Sequence, residues 1–182
     1  MSACFVVLIA HSFLADDLPD GWGKLSSPAE GFYVAIPGEI KRQKLTDKGP
    51  DDKPVKITLF RTLHHGVTYV VGVSEFSKEY LSQPKKKIFD NARDGSIARS
   101  GGKLVREKDI KQGKLEGREV VNAVGGKDGG VVRARIFVAN DRQYSAMVAG
   151  KNEADVDSEE ALRFLDSFKT IPIRTPKGKP KG

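Results

Sequence analysis

The 182-residue chain holds one cysteine, three histidines, two methionines and one tryptophan. A single cysteine, Cys4, excludes an internal disulfide, a thiolate zinc cluster and a Cys-x-x-Cys redox pair. No run of 18 apolar residues occurs, so the sequence contains no membrane-spanning helix. Nucleophilic catalysis lacks its usual carriers: there is no Gly-x-Ser-x-Gly elbow and no thiol besides Cys4. Metal-binding spacings such as His-x-x-x-His or Asp-x-Asp-x-Asp-Gly are missing too. The glycine-rich stretch Gly125-Gly126-Lys127-Asp128-Gly129-Gly130 departs from a phosphate loop, because Asp128 stands where Ser or Thr should follow the lysine and a strand pattern comes next. It reads as a hairpin tip. The paired acids Asp16-Asp17, Asp51-Asp52 and Glu159-Glu160 fall at element ends or loops, where capping and solubility explain them. Neither an enzyme nor a cofactor is expected.

What is present is a chain with 38% hydrophobic residues, enough for one packed domain and too much for a disordered one. Its formal charge of +7 comes from 31 basic and 24 acidic residues. Arg174, Lys177, Lys179 and Lys181 lie in a Pro/Gly-rich tail without acids; setting these four aside leaves 27 basic residues against 24, a surplus of +3. The tail reads as a solubilising terminus, with electrostatic binding of an anionic polymer as the other use of such a segment. Lys85, Lys86 and Lys87 form the other dense basic cluster.

Cys4 to Ala10 is an apolar run, followed by small residues at Ala10, Ser12 and Ala15 and then Asp16-Asp17. That order matches a secretory signal lacking its basic n-region, with cleavage after Ser12 or Ala15. The expected organisation is a signal over 1–15, a linker over 16–21, a folded domain over 22–171 and a basic tail over 172–182. Export would place the protein outside the cytoplasm, in a periplasm or secreted; the other reading of the run is a buried first strand in a cytosolic protein.

Within the domain, Phe32 to Ile36 is a strand closed by Pro37-Gly38, and the polar stretch Lys41 to Lys53 reads as a loop. Val55 to Leu63 alternates, with Val55, Ile57 and Leu59 on one face, and Val67 to Phe76 is apolar on both faces, as in a central strand. The short His64-His65-Gly66 link makes these two an antiparallel hairpin. Pro84 opens a helix carrying Ile88, Phe89 and Ala92, with Gly101-Gly102 beyond its end. Four further strands, Leu104–Ile110, Arg118–Val124, Val131–Ala139 and Gln143–Ala149, are joined by hairpin-sized links and predict a meander. Asp157 with Glu160 forms a capping box for a last helix whose face is Ala161, Leu162, Leu165 and Phe168, widened by Phe164, with Lys169 in its last turn. The order β-ββ-α-ββββ-α is an α+β fold, an antiparallel sheet with helices packed on it.

The segments Glu30-Gly31-Phe32-Tyr33-Val34-Ala35-Ile36-Pro37-Gly38 and Arg163-Phe164-Leu165-Asp166-Ser167-Phe168-Lys169, at the two ends of this order, resemble bacterial PsbP-like domains. The fold group includes the extrinsic subunit of photosystem II and a Ran-binding nuclear import factor. The resemblance spans roughly residues 22 to 171 and implies an α/β/α sandwich and a non-enzymatic docking domain. It carries no functional residue across.

The surface residues singled out for binding are His64 and His65, at the hairpin tip. Adjacent residues of an extended chain point to opposite faces, so the pair is not expected to hold a metal. Arg133 and Arg135 alternate with Val132, Ala134, Ile136 and Val138, the pattern of a sheet with one solvated face, and nucleic acid is not the expected partner. The expected role is a binding or scaffold module for a protein or cell-envelope partner. A small-ligand carrier or an enzyme using a groove between sheet and helix is the second reading.

Overall fold

A computed structural model describes residues 18–127 and 129–174. The expected signal over 1–15 lies outside the described residues, as does the tail from residue 175. The elements in chain order are β1 (Trp22–Ser27), β2 (Phe32–Pro37), β3 (Lys41–Lys48), β4 (Pro54–His64), β5 (Val67–Glu75), α1 (Lys78–Leu81), α2 (Lys85–Ser100), β6 (Lys103–Gln112), β7 (Leu115–Ala123), β8 (Val131–Ala139), β9 (Arg142–Gly150), α3 (Glu153–Val156), α4 (Glu159–Ser167) and β10 (Lys169–Thr170). Seven strands form one antiparallel sheet in the order β3-β4-β5-β9-β8-β7-β6, and β1-β2-β10 form a second, small one. The predicted meander is β6 to β9, and the predicted hairpin is β4–β5.

Both faces of the large sheet are covered. On one face Phe89 of α2 packs with Val120 and Ile136. The other face carries the main core: Phe60, Tyr69, Val71, Val73, Phe137, Tyr144, Ala146 and Val148 meet Phe32, Val34 and Ile36 of β2 and Ala161, Phe164, Leu165 and Phe168 of the last helix and its end. The alternation in β4 is real, but its half-buried row is Ile57 and Leu59, whereas Phe60 and Thr62 on the opposite row face the main core side. Phe168 stacks on Phe137 at 5.6 Å and on Phe32 at 5.9 Å, joining both sheets. Gln112 at the end of β6 donates through Nε2 to the carbonyls of Leu165, Asp166 and Phe168 at 2.7–3.1 Å, satisfying acceptors that a helix end leaves free. Gly31 is confined to glycine twice over: its φ is 76°, and a Cβ would sit 3.0 Å from the Tyr144 hydroxyl, which donates to the Glu30 carbonyl.

Several expectations need correcting. Lys41 to Lys48 is an edge strand, not a loop; exposed on both faces, it shows almost no apolar period, and its lysines discourage further strand pairing. Strands β1 and β10 and helices α1 and α3 were not foreseen. Helix α3 has a capping box of Asn152 and Asp155, and α4 is capped by Ser158, which accepts from Ala161 N–H, rather than by Asp157. Asp157 is drawn instead to the guanidinium groups of Arg106 and Arg133. Lys169 lies past the end of α4, in β10, with its ammonium near the Tyr33 ring.

The largest correction concerns Arg133 and Arg135, which are covered by the α3–α4 layer rather than solvated. Arg133 is 8% exposed and pairs with Glu119 at 2.8 Å and Asp157 at 2.6 Å, while Arg135 bonds Glu119 at 2.8 Å and Asp166 at 2.5 Å. On the other face Arg118 ties Asp90 of α2 to Glu107 and Asp109 of β6. Even the lysine cluster is partly paired, Lys85 with Glu116 and Lys86 with Asp90. Burial alone would raise the Glu119 carboxyl, but hydrogen bonds and charge from Arg133 and Arg135 outweigh it and hold the group at about 2. A depressed carboxylate stabilises the fold above its ordinary value of 4.5 and loses that contribution as pH falls toward about 2. Glu119→Gln is therefore expected to lower stability at pH 7 by about 3 kcal/mol, and the gap to wild type should close between pH 4.5 and 2 in urea titrations. A gap that stays constant down to pH 2 would contradict this assignment.

Candidate functional site

The end of the β4–β5 hairpin places three potential ligands together. Alternation along β4 puts His64 on the same face as Phe60 and Thr62, the face that α4 covers. His64 pairs with Val67, which leaves His65 and Gly66 as a two-residue turn with φ of 49° and 79°. Positive φ at both positions is the type I′ pattern that matches strand twist, and it reverses the chain within one residue of His64. The imidazoles therefore do not splay to opposite faces as an extended pair would: their centroids are 3.8 Å apart with planes tilted by 36°.

The third group, Glu160, comes from the first turn of α4. It stands four residues before Phe164, so both project from one helix face, and Phe164 packs edge-on against Tyr69 at 5.4 Å. This contact brings the Glu160 carboxylate to the hairpin tip, where Oε2 lies 3.9 Å from His65 Nδ1. One ligand atom from each of His64, His65 and Glu160 lies within 4.8 Å of the others. His65 is exposed, and His64 and Glu160 are half-buried.

The floor of the site is Tyr69, fully buried, with Trp22 edge-on to it at 6.0 Å. No hydrogen bond of normal length reaches the Tyr69 hydroxyl or Trp22 Nε1 among the described residues, although the Glu160 carboxylate lies close to the phenol. Burial, and then the nearby Glu160 carboxylate, push the Tyr69 phenol up to about 12, so it stays protonated. Gly21, whose Cβ position would be 3.9 Å from His64 Cε1, closes the side of the site.

The sequence pointed to His64 and His65 but assigned Glu160 to helix capping. The signal for it was the four-residue spacing to Phe164, which places it on the sheet-facing side of α4.

No family model matches the chain, and no curated protein matches it. Among solved structures, the solution structure of cyanobacterial PsbP (CyanoP) from Synechocystis sp. PCC 6803 superimposes with a TM-score of 0.56 at 12% identity, over 93% of this chain and 98% of that one. The fold is PsbP-like. A protein from Bacteroides thetaiotaomicron gives a TM-score of 0.47 at 10% identity over 84% of this chain and 48% of that one. A protein of unknown function from Pseudomonas aeruginosa, PA94, gives 0.42 at 15% identity over 85% and 99%. At 12% identity the likeness to cyanobacterial PsbP fixes the architecture of this PsbP-like domain, and the site at its hairpin tip has to be argued from its own residues.

A buried hydroxyl without a partner costs stability. Tyr69→Phe is expected to unfold at the same or a higher urea concentration than wild type, with a gain of up to about 1 kcal/mol. A loss of more than about 1 kcal/mol would reveal a hydrogen bond to this hydroxyl and contradict its isolation.

Proposed function

We propose that this PsbP-like domain is an exported, non-enzymatic binding module that docks on a protein partner of the cell envelope through the open end of its large sheet. The observation that carries this reading is Leu63, held 70% exposed at the end of β4. It borders an open groove of about 420 Å³ lined with Glu39, Lys41, Arg61, Thr62 and Thr68. A single exposed leucine is ordinary on a protein surface, but here it borders a groove whose polar rim could surround an apolar contact with a partner. Leu63 gains nothing from the fold while it faces water, whereas a partner that covers it removes that apolar area from solvent.

The second reading required a ligand groove between sheet and helix. The concavity lined by Arg106, Lys108, Glu119 and Arg133, on the face covered by α3 and α4, holds about 100 Å³. Ligand pockets usually occupy roughly 300–1,000 Å³. Its arginines are committed to Glu119, Asp157 and Glu153, so it serves the fold. The strand arginines of the nucleic-acid reading are committed to the fold in the same way, and the polyanion reading rests on the basic tail, which beyond Arg174 lies outside the described residues.

Export rests on the apolar run and small residues before Asp16. Mass spectrometry of the protein from its native host is expected to find an N-terminus after Ser12 or Ala15, and an intact Met1 terminus in a cytosolic fraction would overturn it. For docking, a photo-crosslinking residue at position 63 should give one discrete protein adduct in the native envelope. The same residue at the exposed Lys111, near the end of β6 on the far edge of the sheet, should give none. Equal labelling at both positions would remove the docking surface.

A further inference from the structure

We infer that His64, His65 and Glu160 form a transition-metal site that takes a divalent ion of zinc type and clips the β4–β5 hairpin tip to α4. Two imidazoles and one carboxylate are a donor set suited to zinc, and three protein ligands leave a further position for water. Their ligand atoms already lie within 4.8 Å of one another, with His65 Nδ1 and Glu160 Oε2 at 3.9 Å. Zinc bonds of about 2.0–2.2 Å require donors roughly 3.3–3.5 Å apart. The remaining closure is at most about 1.5 Å, within reach of side-chain rotation for His65 and Glu160, whose side chains are 74% and 42% exposed.

Two other features bear on the same point. The fully buried Tyr69 hydroxyl makes no hydrogen bond of normal length among the described residues, yet lies close enough to Glu160 for that carboxylate to raise the phenol, so it is placed to donate to a ligating carboxylate or to a metal-bound water. Groups that orient ligands in this way are a regular part of metal sites. His65 holds a φ of 49°, and the tight turn this makes sets its imidazole 3.8 Å from that of His64, so the backbone itself brings the two donors together.

The site does not depend on the docking role: it lies beside Leu63 but needs no partner, and either proposal can fail alone. The test is isothermal titration of zinc chloride into the tag-free full-length chain. Variants are His64→Gln, His65→Asn, Glu160→Gln and the control His11→Asn, each checked for an unchanged unfolding midpoint. His65→Asn keeps a residue that tolerates positive φ, so the turn should survive its loss. The proposal expects one saturable zinc per chain, affinity at least about tenfold weaker in each of the three site variants, and wild-type affinity in His11→Asn. Tyr69→Phe should weaken zinc without destabilising the protein, which a purely structural tyrosine would not do. Absence of saturable binding, or equal affinity in wild type and both His64→Gln and His65→Asn, would overturn the site.

Discussion

The burial of Phe168 is the contact on which the rest of the structure depends. It ends α4, is fully excluded from water, and stacks against Phe137 of the large sheet, Phe32 of the small sheet and, at 5.8 Å, Tyr144 of β9. Aromatic pairs at such distances add to the area term, and here one ring joins the end of α4 to β2 and to the β8–β9 hairpin. With Phe168 and Phe164 in place, the direction of α4 is set, and with it the position of Glu160 above Tyr69. The side chain of Ser167 strengthens the same seam by accepting from Ala35 N–H at 2.9 Å. The candidate site is thus a product of core packing: the hairpin supplies two groups and the docked helix supplies the third.

The charges do a different job from the one the net +7 suggests. Arg133 and Arg135 are spent inside the molecule on Glu119, Asp157 and Asp166, and Arg118 joins α2 to the opposite face of the sheet. Buried pairs of this kind lose much of their Coulombic gain to desolvation, so their main effect is that removing one partner strands the other. They fix which helix lies over which strands. The proposed docking surface is the end of the sheet near Leu63, beside the two histidines.

Much of the architecture was legible because it follows period-two alternation with clear turns. Val131 to Ala139 is β8 to the residue, and Pro84 and Gly101 bound α2 as their backbone preferences require. Strand β3 was hidden because an edge strand exposed on both faces has no apolar period to read. The alternation in β8 was visible, but alternation cannot say whether a polar row meets water or a second charged layer. That single ambiguity misplaced Arg133 and Arg135. The site was half legible: the histidines stood out by scarcity, whereas their convergence depends on the sign of φ at His65, and Glu160 joins them only through the packing of Phe164 on Tyr69.

In the inferred zinc site two segments nearly a hundred positions apart, the hairpin tip and the first turn of α4, act together. Hydrogen–deuterium exchange with and without zinc chloride tests this directly. Slower exchange is expected on zinc addition in peptides covering 63–67 and 158–162 together, with no comparable change in β6 or α2. Protection confined to one of the two segments, or spread evenly over the domain, would contradict it.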